Sequence, residues 1–316
     1  MKENDLRPGW LGWGDVHPSL SFLFVMLIHR LKRLFELLVP LDGFMLHCHY
    51  LLNATIRLSP PIDGANHESI NLFICGPPRS GTTLLINSLI RHPEIAGFLD
   101  ETNFFSCANP LRSRFLPLSR ERSRQILLCS PTRGAAYSLL ADAIRTNAKK
   151  RVVAEKTPQH CFVLDRISRE VPGAKFIFIV RNPVDSVASM IANREIIPQG
   201  SSAAVATRYW LRSVRSLLGF NDKHPDVVLI LKYEDLCLNP TSVAAQICRF
   251  LGLDFYDLFV PAASKAAQVR HVYSGRKGFE NINKPPVYVN PAPLPGSDLA
   301  DVENLLLAGR ILYERL

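Results

Sequence analysis

The sequence predicts an α/β fold: a central parallel sheet with helices on both faces. Three observations point there. Four short, largely apolar runs, at 70–75, 151–154, 175–180 and 227–231, alternate with stretches of helical pattern. None shows the polar alternation of a half-exposed strand, and such uniform runs mark parallel strands covered on both sides. The unusual stretches of the chain, 76–83, 155–158, 181–183 and 232–235, each follow one of these runs, at the strand ends where parallel sheets bind ligands.

With 316 residues and 47% hydrophobic content the chain is long enough for a large packed core. Lys and Arg number 37 against 28 Asp and Glu, a formal net charge of +9 that favours anionic partners. Seven widely spaced cysteines without a C-x-x-C pair, and no secretory signal, suggest reduced thiols in a cytoplasmic setting. His47-Cys48-His49 is not read as a metal site, because adjacent ligands on a helix diverge and no second cluster completes a tetrahedral set.

Taken in order, the chain divides into a helical extension over residues 1–66 and an α/β domain over 67–316. The apolar stretch 20–28 is about half the ~20 residues a membrane span requires, and His29, Arg30, Lys32 and Arg33 follow it. Phe24, Leu27, Ile28, Leu31, Leu34, Phe35 and Leu38 then recur at the spacing of an amphipathic helix. Packing on the protein's own core is the favoured reading of that helix. The other is peripheral contact of residues 20–39 with an anionic membrane or a lipid-like acceptor. Asn53-Ala-Thr55 has only the form of a glycosylation sequon.

The run at 70–75 is a strand, and Gly76-Pro-Pro-Arg-Ser-Gly-Thr-Thr83 leads from it into a helix that His92-Pro93 stops. A second helix is expected over 135–148. Strands at 151–154, 175–180 and 227–231 follow, the second ending at Arg181-Asn182-Pro183 and the third at Lys232-Tyr233-Glu234-Asp235. Pro285, Pro286 and the segment 291–295 read as a long loop before a last helix from about residue 298.

The segment 76–83 has the spacing of a phosphate-binding P-loop, with Thr82 where the lysine of an NTPase would stand. Convergent backbone N–H groups and a helix N-terminus there favour an anion. Without the loop lysine, hydrolysis of a nucleoside triphosphate is disfavoured. A ligand with one 5′-phosphate and a less charged leaving group needs less neutralisation, which Arg79 or Lys156 can supply. Arg181 leaves a buried strand and Ser189 lies two helical turns on, so both can face one anion.

Gly-Pro-Pro-Arg-Ser-Gly-Thr-Thr-Leu-Leu from Gly76, and Phe-Ile-Val-Arg-Asn-Pro-Val-Asp-Ser-Val-Ala-Ser ending at Ser189, together resemble the paired donor motifs of sulfotransferases that use 3′-phosphoadenosine 5′-phosphosulfate (PAPS). Residues 155–158, 233–236 and 250–253 extend the resemblance over about 69–280, nearest the tyrosylprotein and bacterial group. It implies a three-layer α/β/α P-loop-like fold. It also implies that Arg79, Ser80, Gly81, Thr82 and Thr83 hold the 5′-phosphosulfate, and that Arg181 and Ser189 hold the 3′-phosphate. Arg276, in a late Arg-Lys-Gly, closes over that phosphate by the same likeness.

Sulfuryl transfer needs an in-line acceptor oxygen, a base and cations at the transferring group. Lys156 is assigned to the bridging oxygen with Arg79 in support, and no metal is expected. Glu101, placed as in the tyrosylprotein-type enzymes, is the base, with Asp100 and His160 as alternatives, while Glu155 orients Lys156 or a neighbouring loop. The acceptor is a hydroxyl of a glycan, lipid, phenol or peptide. Arg112, Arg114, Arg120, Arg122 and Arg124 offer a surface for an acidic one. Two rival readings are a P-loop kinase or NTPase with a displaced lysine and a non-enzymatic basic protein on membranes or nucleic acid. Nucleic acid is not expected, because no aromatic platform accompanies the arginines.

Overall fold

Strands β1 (Ile70–Cys75), β2 (Ile95–Gly97), β3 (Val152–Lys156), β4 (Ala174–Val180) and β5 (Val228–Lys232) form one sheet in the order β2-β3-β1-β4-β5. All four pairings are parallel. The computed structural model describes residues 69–98, 101–107, 118–195, 197–259 and 299–316. The 1–66 extension with its amphipathic helix, and Asp100, Arg112, Arg114 and Arg276, therefore lie outside the described residues.

Alternation along the strands sends neighbouring side chains to opposite faces, and both faces are buried. Phe73, Val153, Phe176 and Phe178 point to one face, where helices α3 (Arg133–Ala148) and α6 (Ala203–Asn221) supply Tyr137, Leu140, Trp210 and Val214. Leu72, Ile74, Ala154, Ile177 and Ile179 point to the other, covered by α1 (Thr82–Leu89) and α8 (Pro240–Leu251). This is the three-layer arrangement expected from the sequence. Phe73 is fully buried, its ring 5.6 Å from that of Phe176 and 5.0 Å from that of Tyr137. Burying one such side chain contributes about 1.5–3 kcal/mol.

The remaining described helices are α2 (Arg120–Cys129), α4 (Leu164–Glu170), α5 (Pro183–Ala192), α7 (Tyr233–Leu238) and α9 (Leu299–Glu314). Caps visible in the sequence start several of them: Ser119 Oγ accepts from Arg122 N, Thr132 Oγ1 from Ala135 N, and Ser202 Oγ from Val205 N. Helix α5 begins Asn182-Pro183, with Asn182 Oδ1 accepting from Val184 N at 3.0 Å. Among the described residues no helix is long and apolar enough to cross a membrane.

Two details differ from the sequence reading. Strand β3 runs on to Lys156, so Glu155 and Lys156 are its last two residues rather than the start of the following loop. The short β2 and the helices α2, α4, α6, α7 and α8 have no counterpart in that reading. Helix α6 brings Trp210, fully buried, under the carboxyl ends of the strands.

Candidate active site

The carboxyl ends of β3, β1 and β4 lie side by side: Ile74 is registered with Lys156 and Cys75 with Phe178. Strand order thus places the 76–83 loop at the centre, with Lys156 on one side and Arg181 on the other. Connections leave β1 toward β2 and leave β4 toward β5, so the loop sits at the switch point of the sheet.

The loop turns tightly. Gly76, at φ 158, passes so close to β4 that a Cβ would stand 2.2 Å from Ile179 O. Arg79 adopts φ 66 and Gly81 φ 95, and a non-glycine residue held at positive φ is uncommon enough to mark a functional constraint. Gly81 is the N-cap of α1 and leaves the helix start with no side-chain cap. The first-turn N–H groups are then open to an anion. Ser80 is fully buried, and its Oγ meets no hydrogen-bond partner among the described residues, so the loop holds a hydroxyl donor in reserve.

The two anion motifs meet. Arg79 Nε donates to Ser189 Oγ at 3.1 Å, and Ser186 Oγ donates to Pro78 O at 2.9 Å, joining α5 to the loop. Burial, and then the nearby Arg181 charge, lowers the Arg79 pKa from its ordinary value. Two guanidiniums near enough to sense each other's charge suit a multiply charged anion shared between them. Arg181 Nη2 lies 3.8 Å from Asp185 Oδ2, and the guanidinium rests over the Tyr233 ring at 4.8 Å.

The chain around Arg181 is fixed from two sides. Trp210 Nε1 donates to Arg181 O at 3.2 Å, and Asn182 N donates to Glu234 Oε1 at 3.0 Å. Tyr313 of α9 donates its hydroxyl to Glu234 Oε2. Tyr233 and Glu234, noted in the sequence as a strand-end motif within the resemblance but given no role, are therefore parts of the arginine's seat. Burial foremost pushes the Tyr233 hydroxyl up to about 12, so it stays a neutral ring beneath the cation.

On the other side of the loop, Lys156 Nζ meets Glu101 Oε1 at 2.6 Å. Lys156 is 8% exposed and Glu101 34%, so the ammonium is sunk beside the strand end while the carboxylate keeps access to solvent. Glu155 and His160 are both fully buried, with His160 Nδ1 3.0 Å from Glu155 Oε2. His160 Nε2 accepts from Phe105 N at 3.2 Å, and its ring packs on Phe73 and Phe105. Both ring nitrogens of His160 thus face protein partners rather than solvent. For Glu155 burial alone raises the pKa, but the electrostatic pull of the His160 imidazole and hydrogen bonds from His160, Thr157 and Thr102 outweigh it and hold the carboxyl below its ordinary range.

Thr82 and Thr83 open α1 as the spacing predicts. Of the arginine-rich segment 112–124, Arg122 and Arg124 lie in the first turns of α2. Cys75, Cys107, Cys129, Cys161, Cys237 and Cys248 form no disulfide. Among the described residues no cluster of three His, Cys, Asp or Glu side chains is placed to share a metal.

A parallel sheet with a glycine-flanked loop between strand and helix at its switch point defines a P-loop-like α/β fold. Comparison with known proteins carries this further. A model described as the sulfotransferase family matches residues 71–257. The chain is 28% identical over 216 residues to protein-tyrosine sulfotransferase 1 of Danio rerio, covering 65% of this chain and 60% of that protein. It is also 28% identical over 186 residues to nodulation protein NoeE of Sinorhizobium fredii, covering 55% and 42%. The sulfotransferase domain of the Synechococcus PCC 7002 olefin synthase superposes with a TM-score of 0.54 at 23% identity, over 79% of this chain and 98% of that domain. The chain belongs to the sulfotransferase family. It spans 60% or less of the length of these two curated relatives.

Proposed function

We propose that this protein transfers the sulfuryl group of PAPS to a hydroxyl acceptor. The observation that carries the reading is the contact of Arg79 with Ser189, which unites two anion-binding motifs 110 residues apart at one place. A donor with a 5′-phosphosulfate and a separate 3′-phosphate uses both. The 5′ end belongs to Arg79, Ser80, Gly81, Thr82 and Thr83, where the orphaned Ser80 Oγ and the uncapped α1 suit phosphate oxygens. The 3′-phosphate belongs to Arg181 and Ser189, with Arg276 as a proposed third contact.

In the chemical step the acceptor oxygen forms a bond to sulfur as the bond from sulfur to the bridging phosphate oxygen breaks. Glu101 takes the hydroxyl proton, and Lys156 with Arg79 steadies the negative charge on the leaving phosphate. The products are a sulfate ester and 3′-phosphoadenosine 5′-phosphate, the proton passing on to solvent. Glu101 is suited to the work because it is the more exposed of the pair, within reach of an incoming hydroxyl and held at a fixed place by Lys156. Side-chain cations are assigned the neutralising role, so transfer persists in EDTA.

Likeness to a protein-tyrosine sulfotransferase supports trying a polypeptide tyrosine as acceptor, beside glycans, lipids and simple phenols. The test is incubation with [³⁵S]PAPS and fractionated host proteins, glycans and lipids, with EDTA and without. Labelling of one fraction, lost in Lys156→Ala, supports the assignment. ATP turnover with Mg²⁺ in place of sulfuryl transfer overturns it. For residues 20–39, core packing stays the favoured reading and peripheral membrane contact the second, and co-sedimentation with anionic liposomes decides between them.

A further inference from the structure

The segment that carries Glu101 lies outside helix and strand: residues 101–103 are irregular and 104–106 form a turn. Its place is set by side chains instead. Four consecutive amides each donate to one: Thr102 N to Glu155 Oε1 at 3.3 Å, Asn103 N to Thr157 Oγ1 at 3.1 Å, Phe104 N to Thr102 Oγ1 at 3.1 Å, and Phe105 N to His160 Nε2 at 3.2 Å. All four lead to one carboxylate. Thr102 Oγ1 and Thr157 Oγ1 donate to Glu155 Oε1 at 2.7 and 2.5 Å, and His160 Nδ1 stands 3.0 Å from Oε2. Arg133 holds the far end of the turn through Phe104 O and Cys107 O.

Glu155 and Lys156 are adjacent in β3 and face opposite sides of the sheet. One strand end therefore grips the segment with its first residue and receives the Glu101 carboxylate with its second. A loop held only through its own backbone has no other means of fixing a carboxylate to within the half ångström that transfer chemistry requires. Charged acceptors make such bonds stronger than neutral ones, and a buried carboxylate accepting several is the strongest anchor available to an irregular segment.

We infer that Glu155 is a positioning residue that sets the contact between Glu101 and Lys156, with Thr102, Thr157 and His160 as its transmitting groups. The inference rests on the reading that this pair flanks the transferring group, but the pair's geometry is measurable without any acceptor. In ¹⁵N-lysine spectra of the full chain, assigned with Lys156→Arg, the wild-type Lys156 ammonium shows a signal protected from solvent exchange. Glu101→Ala loses it. Glu155→Gln also loses it with Glu101 intact, while affinity for 3′-phosphoadenosine 5′-phosphate, read by calorimetry, stays within about threefold of wild type, the fold shift being well under the tenfold of 1.4 kcal/mol. Thr102→Val, which removes one bond to Glu155, weakens the signal and serves if Glu155→Gln does not fold.

A wild-type spectrum without the protected signal, or its persistence in either variant, overturns the inference. Kinetics separate this from the base assignment. Where Glu155 acts through Glu101, Glu155→Gln lowers the transfer rate about 10²-fold but lowers it no further in a Glu101→Ala background. Full activity of Glu101→Ala refutes the base and leaves the spectra to decide the positioning role.

Discussion

Tyr233 lies beneath the Arg181 guanidinium at 4.8 Å, and the edge of the same ring fills the space a side chain on Gly81 would need, 2.5 Å from the Cβ position. One aromatic ring thus sets the distance between the phosphate loop and the arginine of the second motif.

Gly81→Ala is expected to fail on two counts, because φ 95 is strained for alanine and the methyl collides with Tyr233. A loss of about 1–3 kcal/mol in urea unfolding is expected from the backbone strain alone. Adding Tyr233→Ala relieves the collision and not the strain, so the cost of the glycine change shrinks in that background. Equal costs in both backgrounds show that the ring is not what presses on the loop.

Lys156→Ala tests the cation assigned to the leaving phosphate. The product 3′-phosphoadenosine 5′-phosphate keeps the oxygen that was the bridge to sulfur, so calorimetry finds its affinity reduced. The transfer rate from [³⁵S]PAPS falls about 10²–10³-fold, the usual loss of one preorganised charge at a transition state. Unchanged product affinity with an unchanged rate removes Lys156 from the leaving phosphate.

Glu155 makes stability depend on acid in a defined direction. Its folded pKa is lowered from the ordinary value, because the electrostatic pull of the His160 imidazole and the hydrogen bonds outweigh burial. The unfolded carboxyl titrates near about 4.3, so the stabilisation is complete above that pH and is lost as pH falls through the lower, folded value. The stability gap between wild type and Glu155→Gln is therefore constant from about pH 6 upward and closes below about pH 4. A gap that widens on acidification reverses the sign and removes the ionised carboxylate from the account.

Much of this arrangement is legible in the sequence for physical reasons. Strands β1 and β4 are buried on both faces and so read as unbroken apolar runs, the partly buried edge strand β5 shares the pattern, and the spacing of Gly76 and Gly81 marks the turn between strand and helix. Strand β2 has three residues and takes its form from pairing with β3, a contact that no local pattern records. Helix α6 does carry a helical period from Ala203 through Trp210 to Leu217, with Ser202 as its cap. Its place under Arg181 depends on the tertiary packing of Trp210. The tie between Glu155 and Thr102 crosses 53 residues, and the burial of His160 comes from Phe73 and Phe105 on other elements. Neither follows from the motif that contains them.

The central claim is that the site reads a nucleotide with phosphates at both the 3′ and 5′ positions. Calorimetry of the full chain with 3′-phosphoadenosine 5′-phosphate against 5′-AMP tests it most directly. The bisphosphate binds at least about tenfold more tightly, a 1.4 kcal/mol difference that one charge-assisted phosphate contact supplies. Arg181→Ala and Ser189→Ala each reduce that preference and leave 5′-AMP binding in place. Equal affinity of the wild-type chain for the two nucleotides contradicts the account.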